Sequence, residues 1–304
     1  HRHPKTTLHR RFLISKNMNM NINLKTTLLY LFICTIFCSC STFTGEKIEK
    51  VFDIDNSYSK LRVEDDINVI ISNEQDQISV IATGNIINNV VIEERDNKLR
   101  LYLAKNNLIS RSNIQIILPY NPNLQEVELN GASKFQSEFA LKNKEIDIDL
   151  SSASDFKCDI EADEIEINLS ESSDFRGNLT AQNIDIEQSG SSDLEGNITA
   201  QNIDIELHGS ADATLIGETD RLTIKLSGSS NITKKIIDNH YSLICNQCEC
   251  DLSGSSDAYI HCNDNINIIN LSGSSKLHYT GNAKITLNYG DNISGSSDII
   301  HDTL

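Results

Sequence analysis

A Ser-Gly-rich phrase recurs through the second half of this chain at a nearly fixed spacing. Aligned on the residue that precedes the phrase, the copies begin at Leu129, Leu150, Leu169, Gln188, Leu207, Leu226, Leu252, Leu271 and Ile293. The steps between them are 21, 19, 19, 19, 19, 26, 19 and 22 residues. An internal repeat of about 20 residues is typical of a solenoid, in which each repeat is one coil stacked on the next. The period therefore predicts an elongated repeat array.

One copy shows how a coil is built. In EIDIDLSSASDFKCDIEAD (145–163), apolar residues alternate with mostly acidic ones on both sides of a polar turn at 151–155. Alternation is the period of a strand with one buried face, and Phe156 and Phe175 fall at the same place in successive copies. Two short strands per 19 residues leave no room for a helix, and this spacing does not fit left-handed hexapeptide helices. We predict an all-β, right-handed parallel β-helix with coils about 4.8 Å apart.

The chain before the first Ser-Gly phrase alternates as well, but without the repeat. Examples are INVIIS (67–72) and KLRLYLA (98–104). Longer and more irregular strands predict wider coils or an antiparallel cap, because an uncovered end would leave an unpaired edge. The predicted organisation is a signal segment, an N-terminal β cap region of the solenoid and a Ser-Gly repeat β-helix, at 1–40, 46–127 and 128–304.

The segment that ends at Cys40 has the composition of a secretory signal. Ahead of Cys40 the chain holds six Lys or Arg and no Asp or Glu, and it includes the apolar stretch LLYLFICTIF (28–37). That stretch is short for a membrane span and resembles the apolar region of a bacterial lipoprotein signal. We expect Cys40 to carry the lipid anchor, with plain secretion as the alternative. Met18 and Met20 are alternative start sites, which would make residues 1–17 an extension.

Net charge limits the partners of the chain. Its 304 residues carry a formal charge of −17, which becomes −23 once the residues before Cys40 are removed. Nucleic acids and anionic lipid surfaces attract Lys and Arg, so we expect this chain to bind neither. Membrane contact is then expected through the lipid anchor alone. Ser41, in place of Asp, favours the outer membrane in lipoproteins of this kind.

The repeated serines raise the question of nucleophilic chemistry. A nucleophilic serine needs a base within hydrogen-bond reach and a site for the oxyanion. The histidines among the repeats share no common place in the coil; they are His208, His240, His261, His278 and His301. Gly supplies a positive φ in tight turns, and Ser side chains hydrogen-bond the backbone there. We therefore predict that the phrase is the corner of a coil.

Aspartates follow the corner in four successive copies. They are Asp155, Asp174, Asp193 and Asp212. Stacked about 4.8 Å apart, such neighbours would repel by about 0.9 kcal/mol per pair in water. Solvation, hydrogen bonds from turn amides or a shared cation would relieve the repulsion. We predict a solvated ladder, with a calcium-binding ladder at these four residues as the alternative, although the repeat GGxGxDxUx is absent.

Four cysteines lie close together in the sequence after the regular copies. Cys245, Cys248, Cys250 and Cys262 have some resemblance to a zinc site. Cys248 and Cys250, however, fall where other copies have inward isoleucines. We predict buried apolar thiols here. A zinc site and a disulfide within 245–262 stay open as alternatives.

Carbohydrate-cleaving enzymes also use parallel β-helices. Their grooves need clustered acids or basic residues with calcium, and usually aromatic side chains that stack on sugars. This chain has no Trp, its Phe156 and Phe175 are predicted to face inward, and no outward aromatic column is expected. We therefore expect no catalysis, with a polysaccharide-processing enzyme as the alternative.

Three stretches and the repeat together resemble a known family. The stretches are DNSYSKLRVEDDINVIIS (55–72), DNKLRLYL (96–103) and NIQIILPYNPNLQEVELNGAS (113–133). With the lipoprotein-type signal and the Ser-Gly-Ser-Ser repeats, the chain resembles the GIN-domain family of auto-transporter adhesin heads, common in Bacteroidetes. The resemblance implies a right-handed parallel β-helix on the cell envelope and no family catalytic residues. The 26-residue step from Leu226 to Leu252 departs from the regular repeat.

These observations predict a lipid-anchored, non-catalytic β-helix of the cell envelope that acts as an adhesin or surface binding module. Its partner would be an unknown surface ligand, either a protein or a glycan. No cofactor is expected apart from the calcium alternative. A periplasmic structural scaffold is a further alternative, since an outer-membrane lipoprotein can face either the surface or the periplasm.

Overall fold

The computed structural model describes residues 10–13, 46–54, 56–84, 86–104, 113–287 and 293–303, and most of them lie in β-strands. The strands are β1 (Arg10–Leu13), β2 (Lys47–Asp53), β3 (Lys60–Val63), β4 (Ile67–Ser72), β5 (Gln77–Thr83), β6 (Val90–Arg95), β7 (Lys98–Leu103), β8 (Ile114–Pro119), β9 (Glu126–Leu129), β10 (Lys134–Gln136), β11 (Leu141–Lys142), β12 (Glu145–Leu150), β13 (Asp155–Lys157), β14 (Ile160–Glu161), β15 (Glu164–Leu169), β16 (Asp174–Arg176), β17 (Leu179–Thr180), β18 (Asn183–Gln188), β19 (Asp193–Leu207), β20 (Asp212–Leu226), β21 (Asn231–Ile232), β22 (Ile236–Ile237), β23 (His240–Tyr241), β24 (Leu243–Leu252), β25 (Asp257–Leu271), β26 (Lys276–Thr280), β27 (Lys284–Leu287) and β28 (Asp298–His301). One 3-10 turn, Ile87–Asn89, precedes β6. In these ranges no helix has the length and apolar character needed to cross a membrane. The predicted anchor Cys40 and the start sites Met18 and Met20 lie outside the described residues.

Each regular coil contains three short strands, whereas the sequence predicts two. In the coil that begins at Glu145 these are β12, β13 and β14, and each pairs in parallel with the equivalent strand of the next coil. The third strand has only two residues, which is too short for alternation to reveal. In later coils the strands merge, as in β19 and β20. The stacked parallel coils of about 19 residues confirm the predicted β-solenoid.

The core consists of apolar ladders along the inward positions. Ile146 pairs with Ile165, and this column continues coil by coil. Phe135, Phe156 and Phe175 stack with their rings nearly parallel and their centroids 4.9 and 5.2 Å apart. All five side chains are buried, as the alternation predicts. Because burying one such side chain contributes about 1.5–3 kcal/mol, the repeated ladder stabilises every coil by the same means.

The N-terminal region folds back into the solenoid. Strand β3 lies between β7 and β9, and β4 lies between β8 and β10, all in parallel. The coil that comes first in sequence is therefore not the outermost one. Antiparallel strands extend this end: β2 pairs with β5, β5 with β8, β6 with β7, and β1 with β6. The sequence leaves wider coils or an antiparallel cap open for this region, and these antiparallel strands correspond to the second alternative.

The Ser-Gly phrase is the corner between the first and second strands of a coil. Gly228 has φ of +81°, and a Cβ there would lie 2.5 Å from the carbonyl oxygen of Gly209 in the previous coil. The buried Ser230 Oγ donates to the carbonyls of Leu207 and Ser227, each at 3.0 Å. The equivalent serines are also buried: Ser133, Ser154, Ser173, Ser192, Ser256 and Ser275. In these copies the last serine of the phrase therefore lies inside the corner, and in several of them its hydroxyl donates to backbone carbonyls.

The 26-residue step contains a β-hairpin that projects from the regular coil. Strands β22 and β23 pair antiparallel around Asp238 and Asn239, which both have positive φ. Asp and Asn tolerate this conformation and are favoured in two-residue hairpin turns. Ile236 and Ile237 on β22 are exposed.

Candidate binding surface

The predicted aspartate column exists, and a basic side chain caps its first member. Strand pairing places Asp155, Asp174, Asp193 and Asp212 at one position of four consecutive coils. Lys134, which occupies the same position one coil earlier, lies 3.4 Å from Asp155. The column therefore begins with an ion pair.

Further basic and amide contacts lie at both ends of the column. At the lower end, Arg176 bridges Asp155 and Asp174 at 3.2 and 3.3 Å. At the upper end, Asn231 Nδ2 donates to Asp212 Oδ1 at 2.8 Å. Partial burial and the neighbouring Asp174 and Asp212 raise the pKa of Asp193. Within the described ranges, no three His, Cys, Asp or Glu side chains converge as a metal-ligand set. Calcium binding by the column stays a prediction.

A second carboxylate array covers the outward positions of the first strand of each coil. Its central column is Asp147, Glu166, Asp185 and Asp204, which are register neighbours and exposed. Partial burial is the main cause that raises the pKa of Asp147 and of Asp185, and the surrounding carboxylates raise it further. We call this surface the acidic face. It offers the same group once per coil.

Basic residues close the acidic face at its N-terminal end. Arg100 Nη2 contacts Glu64 Oε2 at 2.9 Å, and Arg62 contacts Glu64 at 2.6 Å and Glu128 at 2.8 Å. Burial opposes ionisation of Glu64, but hydrogen bonds from Arg100 and Arg62 outweigh it and hold the pKa of Glu64 below its usual value. Lys60 pairs with Glu126. The charges of this end are therefore mutually compensated, whereas no ion pair among the described residues involves the central column of the acidic face.

The cysteine cluster is part of the core. Cys245, Cys248, Cys250 and Cys262 are buried free thiols, with Cys248 Sγ and Cys250 Sγ 3.4 Å apart. Cys248 and Cys250 occupy the columns of inward Leu222 and Ile224. This confirms the prediction of buried apolar positions. Burial and the neighbouring thiols raise the pKa of Cys248 well above its usual value.

An aromatic group lies near the hairpin, but it is not the outward aromatic column that the sequence argues against, because Tyr241 is buried. Tyr259 stacks on His278 with ring centroids 4.5 Å apart, and Tyr241 meets Tyr259 edge to face at 5.4 Å. The Tyr241 hydroxyl donates to Asp302, which also accepts from His278 Nδ1 at 3.0 Å. Alignment of the copies does not reveal this group, because Tyr241 comes from the hairpin, which has no counterpart in the repeat. Through these contacts the hairpin packs against the outside of the solenoid.

A histidine lies next to a corner serine, which the sequence did not predict. His208 replaces the first serine of its phrase, LHGSA, so stacking places it beside Ser227 of the next coil. His208 Nδ1 lies 2.6 Å from Ser227 Oγ, and His208 Nε2 lies 2.9 Å from Glu206 Oε1. The histidines share no common place in the coil, as the sequence indicates, but at this one corner a histidine lies within hydrogen-bond reach of a serine. A base needs to appear in only one coil, not in a common place in all of them.

The geometry defines the class: a capped parallel β-solenoid whose outward columns repeat a polar group in every coil. The sequence matches the profile of the family described as "Putative auto-transporter adhesin, head GIN domain" over residues 57–235 and 174–283. The chain belongs to this GIN-domain adhesin-head family, as the sequence resemblance implies.

Solved structures show the same fold. A putative adhesin from Parabacteroides merdae ATCC 43184 aligns with a TM-score of 0.63 at 16% identity, covering 86% of this chain and 98% of that one. A putative lipid binding protein from Parabacteroides distasonis ATCC 8503 aligns with a TM-score of 0.57 at 18% identity, covering 86% and 98%. A putative adhesin from the same strain aligns with a TM-score of 0.57 at 19% identity, covering 86% and 96%. No curated protein matches the chain.

Proposed function

We propose that this protein is a lipid-anchored adhesion module displayed on the bacterial surface, binding a protein or glycan ligand through its repeated polar columns. The acidic face supports this role most directly, because its consecutive coils present carboxylates in register. Repetition of a weak contact raises overall avidity without a deep pocket. Family membership and the names of the solved neighbours support an adhesive role.

Lipid binding, which the name of one neighbour suggests, has less support in this chain. The interior of the described coils is filled by stacked apolar side chains, including the rings of Phe135, Phe156 and Phe175. A lipid chain would have to displace these ladders. We therefore propose that ligands bind on the outside of the solenoid.

The proposed binding surface is tested by removing its charges. Glu166→Gln with Asp185→Asn neutralises two neighbours of the acidic face, and Glu161→Gln with Glu195→Gln neutralises two exposed acids elsewhere on the coils. We expect the first pair to lower bacterial adhesion several-fold and to weaken its dependence on salt, since exposed charges are screened by ions. Equal adhesion of the two double variants would exclude the acidic face as the binding surface.

Surface display is tested separately. Protease added to intact cells should remove the protein, and Cys40→Ser should release it from the membrane fraction. Protection of the protein in intact cells, with digestion only after lysis, would instead support the periplasmic scaffold. Polysaccharide cleavage that is lost on changing Asp174 or Asp193 would support the enzyme alternative.

A further inference from the structure

One corner of the solenoid carries a hydrogen-bonded Ser, His and carboxylate in the order of a hydrolytic triad. His208 Nδ1 and Ser227 Oγ are 2.6 Å apart, and His208 Nε2 and Glu206 Oε1 are 2.9 Å apart. The histidine side chain is 51% exposed and that of Glu206 is 35% exposed, so a ligand can reach the group from solvent. Other copies have serine at the position of His208, for example Ser170 and Ser189.

The surrounding charges fix the roles of the two ring nitrogens. Hydrogen bonds from His208 and Lys225 lower the pKa of Glu206, so its carboxylate stays ionised. Lys225 Nζ binds Glu206 Oε2 at 3.2 Å, which leaves Oε1 for the imidazole. An ionised carboxylate favours the tautomer with the proton on Nε2. The lone pair of Nδ1 then faces the Ser227 hydroxyl, as a general base requires.

The corner also supplies a donor for a developing oxyanion. The buried Ser230 Oγ donates to the Ser227 carbonyl at 3.0 Å. The Ser227 carbonyl therefore points toward the interior of the coil. In a trans peptide plane the N–H of Gly228 points opposite to the Ser227 carbonyl, and so toward solvent beside Ser227 Oγ. A backbone N–H next to the nucleophile is a common oxyanion donor.

We propose that Ser227, His208 and Glu206 form a catalytic site for hydrolysis of short-chain carboxylic esters, an activity beyond adhesion. Ser227 Oγ attacks the acyl carbon while its proton passes to His208 Nδ1. The tetrahedral oxyanion is stabilised by Gly228 N–H, the ester C–O bond breaks, and the leaving alkoxide takes the proton from His208. Water then attacks the acyl-serine, His208 accepts its proton and returns it to Ser227, and the carboxylic acid is released. Glu206 acts as a positioning residue.

The surroundings restrict the substrate. The groove beside His208 is lined by polar residues such as Glu187, Ser189 and Ser170. Its leucines, Leu129, Leu150 and Leu169, are buried in the core and leave no apolar pocket for a long acyl chain. The acidic face next to it disfavours anionic substrates. The site should therefore prefer acetyl esters of neutral or cationic alcohols.

The test is hydrolysis of p-nitrophenyl acetate by the purified full-length chain and its variants. Ser227→Ala should lower kcat/KM at least about 100-fold, because general-base and nucleophilic catalysis are both lost. His208→Ser, which restores the residue found in other copies, should have the same effect without disturbing the corner. The matched control Ser272→Ala, at the same place two coils above Ser227 and outside the groove, should keep the wild-type rate. The wild type should hydrolyse mono-p-nitrophenyl succinate more slowly than the acetate.

Two further readouts separate catalysis from structure. Glu206→Gln should lower kcat and leave KM nearly unchanged, because Glu206 orients His208 and does not contact the ester. A fluorophosphonate should label Ser227, identified by peptide mass. The proposal is overturned if the wild type hydrolyses the ester no faster than His208→Ser, if Ser227→Ala is as active as Ser272→Ala, or if the label resides elsewhere. Melting temperatures within a few degrees of wild type establish that each variant is folded.

Discussion

Asp193 stacks directly on Asp174 of the previous coil, yet of these two only Asp174 has Arg176 as an ion-pair partner, at 3.3 Å. Among the described residues, Asp193 has no ion pair, and its column neighbours on both sides are carboxylates. Partial burial and these neighbours raise the pKa of Asp193. A folded-state pKa above the unfolded value means that the ionised carboxylate opposes folding.

Asp193→Asn should therefore stabilise the protein at neutral pH. The contribution of Asp193 to stability is fully present below its unfolded pKa and is lost as pH rises through the raised folded value. At pH 7 we expect the free energy of unfolding in urea to rise by up to about 1 kcal/mol after solvent screening. Below about pH 4 the gain should vanish, because the native Asp193 is then neutral as well.

The matched control is Asp155→Asn in the same column. Asp155 has two basic partners, Lys134 at 3.4 Å and Arg176 at 3.2 Å. Its neutralisation should leave stability unchanged or lower it by a few tenths of a kcal/mol, since exposed ion pairs contribute little. A gain from Asp155→Asn equal to that from Asp193→Asn would show that column repulsion is not the cause.

This column also shows what a repeat makes predictable. The aspartates, the stacked Phe156 and Phe175, and the inward Cys248 and Cys250 are all placed correctly by spacing. In a solenoid, residues one period apart in the sequence contact each other in adjacent coils. The spacing of the repeat therefore predicts which residues pack together. Alignment of the copies therefore predicts the register of the strands.

Glu171→Gly should stabilise the corner of its coil. Glu171 has φ of +63° where other copies have glycine, for example Gly190 with φ of +78°. The left-handed conformation costs an L-residue roughly 1–2 kcal/mol, and glycine avoids that cost. We expect about 1 kcal/mol of added stability by urea unfolding, after the larger entropy of glycine in the unfolded chain.

The control for that experiment replaces glycine at the same place in the next coil, Gly190. A Cβ on Gly190 would lie 2.6 Å from the carbonyl oxygen of Glu171. Gly190→Ala should therefore destabilise the protein by about 1 kcal/mol or more. A lower unfolding midpoint for Glu171→Gly would mean that the Glu171 side chain stabilises this corner by more than its left-handed backbone costs.

Gln188→Leu should stabilise the protein, because it replaces the one polar residue in the inward leucine column. Gln188 is buried between Leu169 and Leu207, and its Oε1 has no hydrogen-bond partner among the described residues. Its Nε2 donates to Ser192 O at 3.2 Å, which offsets part of the burial cost. We expect a net gain of about 1–2 kcal/mol in urea unfolding. Leu169→Gln, one coil away, should lower the free energy of unfolding by at least as much. If both substitutions stabilise the protein, or both destabilise it, this explanation is contradicted.

Two of the core cysteines, Cys158 and Cys248, should be unreactive until the protein unfolds. Burial raises the pKa of Cys158 to about 11 and that of Cys248 well above its usual value. Since the thiolate is the reactive form, iodoacetamide at pH 8 should modify neither residue in the native protein within minutes. Both should react fully in denaturant. Failure of Cys245 or Cys262 to react even when unfolded, with recovery after reduction, would instead reveal a disulfide within 245–262.

Other parts of the fold could not be predicted from the period. The insertion of β3 between β7 and β9 depends on pairing that no repeat describes. The hairpin of β22 and β23 places Tyr241 against Tyr259 from outside the coil. His208 was visible in the alignment as LHGSA, but its contact with Ser227 follows from side-chain direction, which spacing does not give. Spacing therefore predicts the columns well and the partners of individual side chains poorly.

Adhesion of intact cells tests the central claim most directly. The parent bacterium, a strain lacking this gene and the complemented strain should be compared on surfaces coated with host matrix proteins and glycans. We predict that deletion lowers adhesion to at least one surface several-fold and that complementation restores it. Equal adhesion of the parent and the deletion strain on every surface would contradict the proposed function.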